Sequence, residues 1–408
     1  MDILEAKSEV VKAGLELVQS GLIARTWGNV SCRVDDEYFV ITPSGRSYES
    51  LTPDDIVLVK IEDCSYDSEI KPSSEKGIHA MAYKMRSDVN FVIHTHQKNA
   101  SAVSFLGYDI NMLSEDSREI IGADIPVASY GLPGTGKLRK GVTAALERSA
   151  SKAVVMAHHG ALCMGTDYED AFKVAAELEK VCEEFLLDRL HIVSGKVSDN
   201  IAAVAEHIAE VSEGAKKQAM IFAPYTSERE GDTMLMNPAE GGESVRIDLS
   251  NGNEVSPCDE YPESAELHRA IYNSRKDVNC IIHSKKPEIL SASKMGGTFK
   301  PLLDDFAQLI GVTLRTGEYN PANTAKTAKK VVKKLKGRNA ALLKDNGAVC
   351  VAGDMYDAEA VEMVLEKELR TDAAAKMIGD AKYINPVEAH LMRFIYKTKY
   401  SKKAKTNK

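Results

Sequence analysis

Three histidines and one glutamate in this chain could form a divalent-metal site. His94 and His96 flank Thr95 at the end of an apolar run, Phe91-Val92-Ile93. Such a run reads as a buried strand. Residues two apart on a strand point to the same side, so both imidazoles can reach one ion. His159, followed by Gly160, offers a third ligand. Three protein ligands with one open position is the pattern of catalytic zinc sites, and neutral imidazole also suits manganese, cobalt or iron(II). His158 competes for the third place. Glu75, placed in the first turn of a helix over 74–85, becomes a general base if that helix packs on the strand. His79 shares its helical face. Three turns rich in Gly and Ser could cradle a phosphate: Thr26-Trp27-Gly28-Asn29, Thr42-Pro43-Ser44-Gly45 and Pro72-Ser73-Ser74.

These residues need a scaffold, and the chain supplies one twice. Amphipathic periodicity predicts a helix over 3–20. Strands follow at 30–34, 38–42, 56–61, 91–94 and 153–157, with a long helix over 168–190. The second half repeats this plan. Glu75 to Tyr83 aligns with Ser264 to Tyr272, and Asp88 to His94 with Asp277 to His283, at one offset of 189 residues. His158-His159-Gly160-Ala161 parallels Asp345-Asn346-Gly347-Ala348 at 187. The reading is an internal duplication at domain scale, with domains at 1–195 and 196–393 and a basic flexible tail at 394–408. A helix over 197–211 would open the second copy. At the ligand positions that copy carries His283, Lys285 and Asn346, with Ser264 in place of Glu75. An ammonium group cannot share a cation with one imidazole, so the second copy is expected to be silent.

Bulk properties narrow the classes. The chain has 408 residues, 44% hydrophobic and 27% charged, with a net charge of −8. Nothing in that balance points to nucleic acid. No apolar run is long enough to span a membrane, and the N-terminus lacks a signal-peptide core, so a cytoplasmic location is expected. The seven cysteines are scattered without a C-x-x-C pair and read as reduced core thiols. Gly131-Leu-Pro-Gly-Thr-Gly-Lys137 fits a P-loop except at Leu138, where Mg²⁺ binding needs Ser or Thr. A nucleotide site there is not expected.

The motif set Thr26-x-Gly28-Asn29-x-Ser31, Ile41-Thr42-Pro43-Ser44-Gly45, Ser73-Ser74-Glu75, His94-Thr95-His96 and His159-Gly160 resembles the class II aldolase/adducin family. The resemblance implies two tandem α/β domains, each an α/β/α three-layer sandwich around a mainly antiparallel sheet. It makes His94, His96 and His159 ligands of Zn²⁺, or of Mn²⁺, Co²⁺ or Fe²⁺. Glu75 becomes a labile ligand or the acid/base beside the metal, and Gly28, Asn29, Ser44, Gly45, Ser73 and Ser74 hold a substrate phosphate. The implied activity is retro-aldol cleavage of a phosphorylated ketose through a metal-stabilised enediolate. A sugar-phosphate 4-epimerase, a dehydratase and a non-catalytic adducin-like scaffold are the alternatives within the family. Cyclic tetramers in the family imply a homo-oligomer here, a dimer forming a pseudo-tetramer or something larger. One departure concerns the second acid/base. The fuculose-phosphate aldolase branch uses a Tyr from a neighbouring subunit; here Ser114-Glu115-Asp116 stands in that region, and Glu115, Asp116 or Glu119 are the candidates.

Overall fold

The computed structural model describes residues 1–23, 27–212, 224–255, 261–379 and 381–400. Thr26 and Cys258, and residues 401–408 of the expected tail, lie outside them. Two compact units emerge: among the described residues, 1–192 with 381–382 and 394–400, and 193–379 with 383–393. The first contains α1 (Ile3–Gln19), β1 (Asn29–Arg33), β2 (Tyr38–Ile41), β3 (Val57–Lys60), α2 (Lys76–Met85), β4 (Phe91–Thr95), α3 (Lys98–Val103), α4 (Glu115–Ile120), β5 (Val127–Ala128), α5 (Gly136–Arg148), β6 (Ala153–Met156), β7 (Gly160–Gly165) and α6 (Tyr168–Ser194). The second contains α7 (Ala202–Val211), β8 (Tyr225–Glu230), β9 (Thr233–Pro238), β10 (Val245–Asp248), α8 (Ala265–Ser274), β11 (Cys280–Ser284), α9 (Pro287–Met295), β12 (Thr298–Phe299), α10 (Asp304–Leu309), β13 (Leu314–Gly317), α11 (Thr324–Leu335), β14 (Ala340–Leu343), β15 (Ala348–Ala352), α12 (Met355–Ile378) and α13 (Pro386–Ile395).

Each unit is built on one sheet. In the first the strand order is β3-β2-β1-β4-β7-β6-β5. In the second it is β10-β9-β8-β11-β15-β14-β13, with β12 added at the edge. Neighbours run antiparallel except β5–β6 and β13–β14, which are parallel. The sheets are therefore mixed and mostly antiparallel, with helices on both faces.

Alternation along β4 separates the layers. Val92 joins the core formed with Ile78 of α2 and Leu138, Val142 and Leu146 of α5. Phe91 and Ile93 join the opposite core, formed with Ala6, Val10 and Leu17 of α1 and Tyr168 and Ala171 of α6. A period of two puts His94 and His96 on the side of Val92, facing α2. Cys32, Cys163, Cys182, Cys280 and Cys350 fill buried positions, and burial pushes the Cys32 thiol up to about 12.

The units share local devices as well as strand order. The Arg33 guanidinium donates to the Tyr83 and Arg86 carbonyls at the C-terminal end of α2, at 2.7 and 2.9 Å. Arg229 does the same for Tyr272 and Arg275 at the end of α8, at 2.6 and 3.4 Å. A cation there satisfies carbonyls that the helix leaves without partners. The turns before β7 and β15 match too, with His158 and Asp345 both left-handed at φ 62° and 63°.

Two sequence expectations change. The helix expected over 197–211 begins at Ala202. Residues 394–400, expected in a flexible tail, are helical: α13 reaches Ile395 and a wider helical turn covers Tyr396–Tyr400. Thr398 Oγ1 donates to the Phe394 carbonyl at 2.8 Å, and Tyr396 is buried.

Candidate metal centre

β4 delivers two imidazoles and the β6–β7 turn delivers the third. His94 Nε2 lies 3.1 Å from His96 Nε2. The His159 ring stacks on that of His94, with centroids 4.9 Å apart and planes at 17°. One ligand nitrogen from each histidine falls within 4.8 Å of the others. The turn selects His159 over His158. His158 occupies the left-handed position and sets its ring against Tyr130, 5.3 Å away. Gly160 then passes so close to β4 that a Cβ would sit 2.2 Å from the Thr95 carbonyl oxygen. Only glycine fits there, and that contact holds His159 beside the strand end.

Second partners orient the rings. His94 Nδ1–H donates to the Ala161 carbonyl at 2.9 Å, leaving Nε2 as the bare nitrogen that a metal takes. Glu75 sits between two of the imidazoles: Oε1 is 2.9 Å from His159 Nε2 and Oε2 is 3.2 Å from His94 Nε2. Burial alone would raise the Glu75 carboxyl, but His94 and His159 hold it well below the usual carboxylate range. Three convergent imidazole nitrogens with a carboxylate alongside suit a borderline divalent ion. Glu75 is the residue before α2, with φ −102° and ψ 9°, and not in its first turn as the sequence suggested. That non-helical backbone lets the carboxylate turn from the helix axis toward β4.

A buried hydrogen-bond relay supports Glu75. Asn29 Nδ2 donates to Glu75 Oε2 at 3.1 Å, and Asn29 Oδ1 pairs with His79 Nε2. With the amide so oriented, His79 carries its proton on Nε2. Its Nδ1 then accepts from Ser31 Oγ at 2.7 Å, and Ser31 Oγ meets the Tyr83 hydroxyl at 2.6 Å. Burial pulls His79 down to about 3, which keeps it neutral. The relay was only partly visible in sequence. The His79/Tyr83 spacing recurs as His268/Tyr272, but Ser31 and Ser227 are 196 apart rather than 189, so their partnership escapes a fixed-offset comparison.

The phosphate candidates divide. The turns bearing Ser44-Gly45 and Ser73-Ser74 meet through a bridge between Pro43 and Pro72, with Ser73 N donating to the Thr42 carbonyl at 3.0 Å. Gly28, at φ +107°, packs against the His94 carbonyl, where a Cβ would lie 2.7 Å away. The Asn29 amide meets Glu75 and His79. A cavity of about 140 Å³ beside Glu75 is lined by Ser74, Gly77, Gly134, Thr135 and Arg139 among others. The 131–137 turn, set aside as a nucleotide loop, therefore lies against Ser74, a placement no local motif signalled. Glu115, Asp116 and Glu119 lie exposed on α4. Among the described residues no hydrogen bond or ion pair joins them to the histidines.

The profile of the class II aldolase and adducin N-terminal domain matches residues 8–186 and 233–372. The chain belongs to that family. Its two matched segments lie in the two units, so each is a class II aldolase-type domain. A 5-deoxy-D-ribulose 1-phosphate aldolase of Bacillus thuringiensis is 32% identical over 181 residues, 44% of this chain and 83% of that protein. An L-fuculose phosphate aldolase of Escherichia coli is 33% identical over 209 residues, 51% of this chain and 93% of that protein. Among solved structures, an L-fuculose 1-phosphate aldolase matches at 29% identity and a TM-score of 0.43, over 48% of this chain and 91% of that one. No helix among the described residues is long and apolar enough to cross a membrane.

Proposed function

We propose that the first class II aldolase-type domain is a metal-dependent aldolase that cleaves a phosphorylated ketose. The carrying observation is Glu75, a buried carboxylate set between His94 and His159 and fixed by Asn29. The similar aldolases of phosphorylated sugars agree with it. His94, His96 and His159 would hold the ion, zinc foremost, which supplies Lewis acidity for a carbonyl oxygen when bound. Glu75 moves a proton on and off the carbon next to that carbonyl. Its position requires only a short proton path, and its anionic state at neutral pH makes it ready to accept. Asn29 prevents the carboxylate from rotating away. Gly28, Ser44, Gly45, Ser73 and Ser74 would position the phosphate and so fix which bond breaks. The second domain is read as a duplicated copy without this chemistry.

The test is a screen of ketose 1-phosphates and ribulose 5-phosphate with zinc, manganese or cobalt, measuring aldehyde and triose products. Wild type should release them, and Glu75→Gln should keep its metal but lose about a hundredfold or more in kcat. Epimerised or dehydrated products would replace the aldolase reading with the epimerase or dehydratase one. Protein without metal or activity under every condition would leave an adducin-like scaffold.

A further inference from the structure

The second domain keeps the framework of the metal centre but furnishes it differently. β11 ends in His283 and Ser284 and leads to Lys285, where β4 leads to His96. Ser264 precedes α8 as Glu75 precedes α2. Asn346 follows the left-handed Asp345 as His159 follows His158. The tight approach is preserved: a Cβ on Gly347 would lie 2.0 Å from the Ser284 carbonyl oxygen and 3.3 Å from Lys285 Cγ. The Lys285 stem is thereby held against the turn that carries Asn346.

Five side-chain atoms on this framework are shielded from solvent and have no hydrogen-bond partner among the described residues: Ser264 Oγ, His268 Nε2, His283 Nδ1, Lys285 Nζ and Asn346 Oδ1. Ser264, His268, His283 and Asn346 are each at most 3% exposed. Folded proteins pair nearly all such atoms, because each one left alone costs about 1–3 kcal/mol. The first domain shows the contrast. There His79 Nε2 meets Asn29, and Glu75 meets two imidazoles and that same amide. The second domain has Ser264 in place of that glutamate and begins the matching strand with Tyr225-Thr226.

The chemistry of the five atoms describes what they would take. His283 Nε2–H donates to the Asn346 carbonyl at 2.7 Å. Burial pulls His283 down to about 4, so its Nδ1 is a bare acceptor. Asn346 Oδ1 is a second acceptor, and Ser264 can donate or accept. Burial lowers Lys285 to about 8, opposed by the Glu263 and Glu240 carboxylates, so it stays largely cationic at neutral pH. A divalent metal does not match this set, since one ligand place holds an ammonium and the imidazole Nε2 is spent on a carbonyl.

We propose that this cluster in the second domain binds a small hydroxylated anion without metal, its anionic group against Lys285 and a hydroxyl donating to His283 Nδ1 or Asn346 Oδ1. The anionic group is a phosphate or a carboxylate, and nothing in this assignment depends on the reaction of the first domain.

The experiment is calorimetric titration of the full chain, chelated and carrying His96→Ala and Ser74→Asp, so that the first domain holds no metal and its proposed phosphate cradle carries a repelling charge. The probes are glycerol 3-phosphate and glycerate, with inorganic phosphate and glycerol as controls lacking the hydroxyls or the charge. One equivalent of a hydroxylated anion should bind, and Lys285→Met should weaken it about tenfold or more. His283→Gln should weaken the hydroxylated probes and leave inorganic phosphate unchanged. The tighter of the first two probes identifies the anionic group. Absence of binding at millimolar probe, or binding indifferent to Lys285→Met, overturns the proposal. Should Lys285→Met not fold, Asn346→Asp decides: its added negative charge must abolish anion binding, and retained affinity overturns the proposal equally.

Discussion

His94-Thr95-His96 and His283-Ser284-Lys285 end equivalent strands in equivalent sheets, yet among the described residues only the first gathers a set that could hold a metal. The approach strands are alike, and so is the tight glycine turn opposite. The Ser–His–Tyr relay is also alike: Ser227 Oγ lies 2.7 Å from His268 Nδ1 and 2.9 Å from the Tyr272 hydroxyl. The difference falls on inward-facing positions, where Glu75, His96 and His159 stand against Ser264, Lys285 and Asn346. A scaffold can therefore be maintained while its chemistry is exchanged, because strand pairing and turn strain do not depend on the inward residues. The second domain also helps separate scaffold from function within one chain: the Ser–His–Tyr relay and the tight glycine turn recur in it without the metal set.

The strongest test of that separation is metal stoichiometry. Wild type should hold about one divalent ion per chain by elemental analysis, and His94→Ala or His159→Ala should bring it near zero, since catalytic sites rest on three protein ligands. Two ions per chain, or an ion surviving in either variant, would erase the distinction between the domains. Lys285→His should not add a second ion, because His283 is turned toward the Asn346 carbonyl.

The shared relay offers a subtler comparison. Ser31→Ala and Ser227→Ala should each cost about 1–3 kcal/mol in denaturant unfolding, as buried partners are lost. Only Ser31→Ala should also lower kcat, because His79 and Asn29 connect that serine to Glu75. Equal effects on activity would show that the relay has no role beyond stability.

Acid response comes next. His268 is pulled down to about 3 and His283 to about 4 by burial, from an ordinary 6.5. The unfolded chain takes up these protons first, so stability falls as pH drops below about 6.5 toward those values. His268→Gln should flatten that fall by about one proton in a plot of unfolding free energy against pH. An unchanged slope would mean that His268 is protonated in the folded protein. The smallest effect is expected on α4: Asp116→Ala and Glu119→Ala should leave metal content unchanged. A fall in kcat of about a hundredfold in either, without loss of metal, would identify an acid/base group supplied from outside the immediate cluster.

Much of this was legible in the chain itself. The apolar strand before His94, the period of two that aligns His94 with His96, and the spacing that repeats His79-x-x-x-Tyr83 as His268-x-x-x-Tyr272 are local patterns. They suffice to indicate the family, the two domains, and which half carries the imidazoles. The tertiary structure decided the rest. The choice of His159 over its neighbour rests on one left-handed residue and one glycine pressed against β4. Glu75 reaches the imidazoles because it stands just outside α2 and because Asn29, 46 residues away in sequence, holds its carboxylate. The turn over 131–137 meets Ser74 only through the packing of α5 beside α2. Periodicity fixes which side of an element a residue faces, but partners joined across long stretches of chain depend on how the loops close, and a sequence does not display that directly.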